Sequence, residues 1–191
     1  MSAVDATHYL IIDLEATCSD DRTIPPDRME TIEVGAVLVH ASTFEVEAEF
    51  QSFVKPVRHP VLTPFCTKLT SITQAMVDGA PLFPEAFDGL RKRLVSGRSG
   101  LVWGSWGRYD ERQLKQDCAL HRVPFHMPPH VNLKTTFAET QGVRKKQGMT
   151  GALALCGLKL EGAHHRGMDD ARNIARMLPW IVGTRRIARA T

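Results

Sequence analysis

Apolar and polar positions follow two rhythms along this chain. Up to residue 54 the rhythm is that of strands. HYLIIDLE (8–15) is apolar on both faces, as a buried central strand is, and ETIEVGAVLVH (30–40) follows it. FEVEAEFQSFV (44–54) alternates with period two, and the short connections suit an antiparallel meander. A proline-rich passage from Lys55 to Pro64 then leads into a short helix near Thr70–Val77. PLFPEAFDGLRKRLVSG (81–97) has helical periodicity that stops at a glycine. LVWGSW (101–106) reads as strand, YDERQLKQDCALH (109–121) as helix, and HVNLK (130–134) as a short strand before the helix TTFAETQG. Helices near Thr150–Gly157 and Asp169–Val182 complete the pattern. Three meander strands, then strands alternating with helices, predict an α/β fold: a mixed sheet flanked by helices.

Neither a repeat nor a low-complexity linker divides the 191 residues, so one domain is expected over 1–191, with a core at about 8–182 and a short basic tail. MSAVDATH lacks the basic-then-apolar layout of a signal peptide. No apolar run approaches the ~18 residues that span a membrane. Cys18, Cys66, Cys118 and Cys156 lie far apart with no C-x-x-C pair, which argues against a zinc knuckle. A reduced, cytoplasmic setting with the thiols as small buried hydrophobes is the expectation.

The net charge of +3 hides an asymmetry. Residues 1–141 carry 14 Lys and Arg against 18 Asp and Glu, whereas residues 142–191 carry 10 against 3. The basic set includes Arg144, Lys145, Lys146, Arg166, Arg172, Arg176, Arg185, Arg186 and Arg189. It fits a phosphate-attracting surface. It fits equally a solvated helix face followed by a basic tail.

Candidate chemistry sits in three separated segments. Asp13 and Glu15 are two apart on a strand and point to one face, at its carboxyl end, where α/β sheets place their sites. Two such carboxylates repel unless a cation neutralises them, and oxygen-only ligands select Mg²⁺ or Mn²⁺. Asp110 opens a helix with Gln113 three residues on, which resembles a capping box, yet its loop can present a carboxylate to the same cleft. Trp106 and Tyr109 crowd that loop and offer stacking surface to a base if they are not core. On the last helix Asp170 shares a stripe with Ile174, Met177 and Ile181. A carboxylate on an apolar stripe needs a partner, and a metal would satisfy it. Asp169 lines up instead with Asn173, Arg176 and Trp180. In the loop before the helix His165 can act as a base near neutral pH, with His164 as its competitor.

Together these segments resemble the DnaQ-like exonucleases of the DEDDh class, which have a ribonuclease-H-like fold. The order Asp-x-Glu, mid-chain Asp, His-x4-Asp is met by Asp13, Glu15, Asp110, His165 and Asp170. The resemblance is closest to the Eri-type 3′–5′ exoribonuclease branch, through ETIEVGAVLV, FCTKLTSITQAMVDGAPLF, WGSWGRYD and GAHHRGMDDARNIARML. It implies a five-stranded mixed sheet and a metal-dependent 3′–5′ exonuclease. The expected substrate is the 3′ end of single-stranded nucleic acid, RNA favoured over DNA, and the product a nucleoside 5′-monophosphate. It further implies two divalent cations, Mg²⁺ or Mn²⁺. Asp13 would bridge them, Glu15 and Asp170 would hold the first, Asp110 would support the second, and His165 would deprotonate the attacking water. Ala16, Thr17 and Cys18 would neighbour the terminal nucleotide. No separate nucleic-acid-binding domain is expected ahead of the core, so the substrate range of longer Eri-type proteins is not carried over. The main alternative, a nucleic-acid-binding module without cleavage, would lack a ligand; all five positions here carry the required residue type.

Overall fold

The structure is a computed structural model that describes residues 6–188. Its centre is β1 (His8–Ala16), antiparallel to β2 (Thr31–His40) on one side and parallel to β4 (Leu101–Ser105) on the other. β3 (Val46–Phe53) pairs antiparallel with β2, and β5 (His130–Asn132) parallel with β4, giving the order β3-β2-β1-β4-β5. This is the expected three-strand meander joined to two parallel strands.

Alternation along β1 builds two cores. Tyr9 and Ile11, with Val37, Val39 and Val102, face α5 (Leu133–Gln141), α6 (Met149–Leu155), α7 (Gly167–Arg176) and α8 (Leu178–Ile181). Leu10, Ile12 and Leu14, with Val34, Ala36 and Leu38, face α3 (Phe83–Leu90) and α4 (Tyr109–His121). Each fully buried Leu, Ile or Phe in these layers contributes roughly 1.5–3 kcal/mol. A smaller cluster of Ile32, Leu62, Cys66, Ile72 and Val77 lies under α1 (Pro64–Thr70) and α2 (Gln74–Asp78).

Three helices differ from the periodicity. The helix expected near Thr70–Val77 is two. Thr63 caps α1 by accepting the Cys66 amide, and α1 stops where Ser71 turns left-handed at φ 60°, after which Thr73 starts α2. The helix over 81–97 is α-helical only to Leu90 and continues as a π-helical turn, Arg91–Val95. The C-terminal helix is broken in two around Met177, with Pro179 in the first turn of α8, where no amide donor is needed. The apolar stripe survives the break: Asp170, Ile174, Met177 and Ile181 are all buried.

Candidate active site

Asp13 and Glu15 lie on the α7 side of the sheet, opposite Gly35 and Glu33 of β2. The start of α7 rests on this spot. A Cβ on Gly35 would lie 2.1 Å from the Gly167 carbonyl carbon, and one on Gly167 would lie 2.9 Å from the Asp13 carbonyl oxygen. Only glycine at both positions lets backbone meet backbone there. Glu33, fully buried, fixes the contact: its carboxylate accepts the Gly167 amide at 3.1 Å, Arg166 Nε at 3.1 Å and Gln51 Nε2 at 2.6 Å. One turn further, Asp170 is thereby held over β1. Carboxylate oxygens of Asp13, Glu15 and Asp170 all lie within 4.8 Å of one another.

Asp110 joins from the opposite side. The β1–β4 ladder ends at Ile11 and Gly104, and beyond it the Leu14 amide donates to Asp110 Oδ1 at 3.1 Å. Asp110 therefore grips the strand between Asp13 and Glu15. The capping-box reading does not hold: Gln113 Nε2 donates to the Met29 carbonyl and Asp117, and Arg108 occupies the cap position.

Both histidines converge on Asp170. His164 Nδ1 is 2.9 Å from its Oδ2, and the His165 amide donates to the same oxygen at 3.0 Å. His165 adopts φ 62°, a left-handed conformation that a non-glycine residue holds at a cost of roughly 1–2 kcal/mol, and its ring stacks on His164 at 3.9 Å. His165 is half-buried and His164 exposed. In this arrangement the His164 ring, not that of His165, pairs with the carboxylate.

The electrostatics are those of crowded acids. Loss of hydration, reinforced by Asp110, Glu15, Asp170 and Glu33, raises Asp13 well above the usual carboxylate range. Burial and the neighbouring Asp170, Glu33 and Asp110 carboxylates push Glu15 up to about 8. Burial lifts Asp110 to about 6, opposed by the Leu14 amide, and raises Asp170 against the pull of His164. Burial and His164 lower His165, which favours its neutral imidazole. Among the described residues the buried Asp170 Oδ1 has no hydrogen-bond partner. An all-oxygen cluster with an unsatisfied buried oxygen and strained acidities fits divalent cations.

The remaining candidates are placed in different ways. Ala16 and Thr17 are buried, and Thr17 is tied to Glu30 through both its amide and its hydroxyl. Cys18 is half-buried, and the Cys66 thiol donates to the neighbouring Ala16 carbonyl at 3.6 Å. Trp106 packs on Phe137, with its indole N–H donated to the Gln147 carbonyl at 3.1 Å. Tyr109 is exposed and reaches Met29. The basic surface is thinner than the charge count suggests, because Arg166 pairs with Glu33, Arg172 with Glu49 and Arg176 with Glu161.

A model of the exonuclease family matches residues 10–178. The chain belongs to this exonuclease family. Within it the chain falls in the DEDDh class, beside the Eri-type members. It is 31% identical over 179 residues to ERI1 exoribonuclease 3 of Homo sapiens, covering 90% of this chain and 52% of that protein. It is 34% identical over 183 residues to 3′-5′ exoribonuclease 1 of Homo sapiens, covering 89% and 51%. The chain thus spans about half the length of these relatives. The solved nuclease domain of 3′hExo, a DEDDh family member bound to rAMP, superposes with a TM-score of 0.80 at 32% identity, covering 97% and 98%. The residues picked out by the DEDDh resemblance, Asp13, Glu15, Asp110, His165 and Asp170, are the ones gathered around this site.

Glu33, Gly35 and Gly167 are the site residues that sequence reasoning passed over. The signal was present in ETIEVGAV, where an acid and a glycine interrupt an otherwise buried strand.

Proposed function

We propose that this protein is a 3′–5′ exoribonuclease that removes nucleoside 5′-monophosphates from single-stranded 3′ ends. The observation that carries the reading is the convergence of Asp13, Glu15 and Asp170 within 4.8 Å, with Asp110 bound to the strand between the first two. Asp13, Glu15, Asp110 and Asp170 would hold two divalent cations, Mg²⁺ or Mn²⁺. Such ions stabilise the attacking and leaving oxygens of an in-line phosphoryl displacement.

His165 takes the proton of the attacking water; its neutral imidazole and its half-buried place on the loop before α7 suit that task. His164 holds Asp170 until a cation replaces it. Ala16, Thr17 and Cys18 at the end of β1, with Trp106 and Tyr109 on the facing loop, border the place of the terminal nucleotide. RNA is favoured over DNA because the similar proteins are named exoribonucleases, and one solved relative, 31% identical with a TM-score of 0.81, is a 3′-exonuclease recognising a histone mRNA stem-loop. We place this single exonuclease domain in the cytoplasm, where its four free cysteines stay reduced. Among the described residues no helix is long and apolar enough to cross a membrane.

Digestion of 5′-labelled single-stranded RNA and matched DNA, with Mg²⁺, Mn²⁺ or EDTA, tests the reading. A metal-dependent ladder shortening from the 3′ end, faster on RNA, is the expected result. Binding of both polymers without cleavage would replace it with the binding-module alternative.

A further inference from the structure

At the end of the sheet away from the carboxylates, three side chains meet that nuclease chemistry does not use. His8 opens β1 and stands directly across from His40, which closes β2. Glu47 comes from β3. Leu38 pairs with Ala48 and Val39 with Val46, so Glu47 is the extra residue of a β-bulge. Bulges re-aim side chains, and this one turns Glu47 onto His8, with Oε2 3.1 Å from Nε2. A carboxylate oxygen of Glu47 and one ring nitrogen of each histidine lie within 4.8 Å of one another.

The hydrogen bonds around His8 prepare it as a ligand. Thr7 Oγ1 donates its proton to the Ser99 carbonyl at 2.9 Å, so it accepts from His8 Nδ1 at 3.0 Å. That fixes the proton on Nδ1 and leaves the Nε2 lone pair facing a carboxylate oxygen. Such a contact needs a positive charge, either a proton or a metal ion. His40 Nδ1 accepts the Ser42 amide at 3.4 Å and lies 3.1 Å from Ser42 Oγ, so its proton rests on Nε2 and must leave if that nitrogen takes a metal. A ligating histidine is commonly oriented by a hydrogen bond from its second ring nitrogen, as His8 is by Thr7. Both histidines are half-buried and Glu47 is exposed, so the cluster is open to solvent.

We propose that His8, His40 and Glu47 form a zinc site that ties β1, β2 and β3 together. Two imidazoles and one carboxylate are a nitrogen–oxygen donor set that suits Zn²⁺, with water as the fourth ligand. The site is distinct from the catalytic carboxylates: five residues of strand, about 16 Å, separate His8 from Asp13. Its role is structural: the three ligands come from three neighbouring strands of the sheet.

The test uses the full chain carrying Asp13→Asn and Asp170→Asn, which disables the oxygen cluster. After EDTA stripping, Zn²⁺ is titrated against a chromophoric chelator, and Co²⁺ is followed by visible absorption. One Zn²⁺ per chain is expected, with a tetrahedral Co²⁺ spectrum and a zinc-dependent rise in melting temperature. His40→Ala on the same background should lose all three. Glu47→Gln, a change on an exposed edge strand that leaves packing intact, should weaken zinc about tenfold or more. It decides the matter if His40→Ala does not fold. Absence of zinc uptake, or uptake unchanged by these variants, overturns the proposal.

Discussion

Gly167 at the start of α7 lies against Gly35 of β2 so closely that a single methyl group on Gly35 would sit 2.1 Å from backbone. This contact sets the height of α7 above the sheet and hence the position of Asp170 over Asp13 and Glu15. Gly35→Ala is therefore expected to cost at least the ~1–3 kcal/mol typical of overpacking and to displace the last metal ligand. A melt and an RNA cleavage assay check it; unchanged stability and activity would mean that the glycine pair does not position Asp170.

The two histidines have different expected roles. His165→Ala should lower kcat by about 10²–10⁴-fold, the range for loss of a general base, with divalent-cation binding retained. His164→Ala should lower it by less than about tenfold, because His164 only pairs with Asp170 in the ligand-free state. Single-turnover kinetics on a short RNA separates the two. The reverse ranking would make His164 the base.

Crowded carboxylates fix the pH dependence of stability. Glu15 moves from an ordinary 4.5 to about 8 in the folded protein, and Asp13, Asp110 and Asp170 move in the same direction. Between those values the folded state keeps protons that the unfolded state has released, so stability falls as pH rises. The metal-free protein should thus melt lower at pH 8 than at pH 5. Mg²⁺ or Mn²⁺ should reverse the trend at the alkaline end, since cations replace the lost protons. Asp13→Asn should flatten both effects. Thermal melts with EDTA and with added metal measure all three.

Arg144 and Lys145 lie exposed on the loop that also holds Trp106 through the Gln147 carbonyl, and neither has a carboxylate partner among the described residues. Replacing both by Ala should raise KM for RNA more than it lowers kcat. It should also shallow the salt dependence of binding by about 0.7 for each phosphate that is no longer neutralised. Binding curves at several salt concentrations check this, and an unchanged slope would return the loop to ordinary solvated surface.

Much of this was legible in the residues themselves. The apolar run before Asp13 announced a central strand, and the stripe through Asp170, Ile174, Met177 and Ile181 announced which acid on the last helix would be buried. Local signals failed where the determinant was tertiary. Asp110 and Gln113 have the spacing of a capping box, yet the unpaired Leu14 amide and the Met29 carbonyl claim them. Asp169 and Asn173 look like surface neighbours, but Asn173 is fully buried, bonded to the Glu161 backbone. Glu33 stands out as an acid in a buried strand, but what it holds is not local, because its partners Arg166 and Gly167 lie more than 130 residues away. A basic C-terminal segment is plain from composition, but which cations are spent on ion pairs depends on neighbours from the whole fold.

The central claim is that the converging carboxylates bind the cations that drive phosphodiester cleavage. The most direct measurement compares Asp170→Asn with the unaltered chain in Mg²⁺-dependent cleavage of single-stranded RNA, with circular dichroism as the control for folding. The predicted result is a folded variant whose cleavage falls about 10³-fold or more, as when a member of a catalytic unit is removed. A folded variant that retains full activity would contradict it.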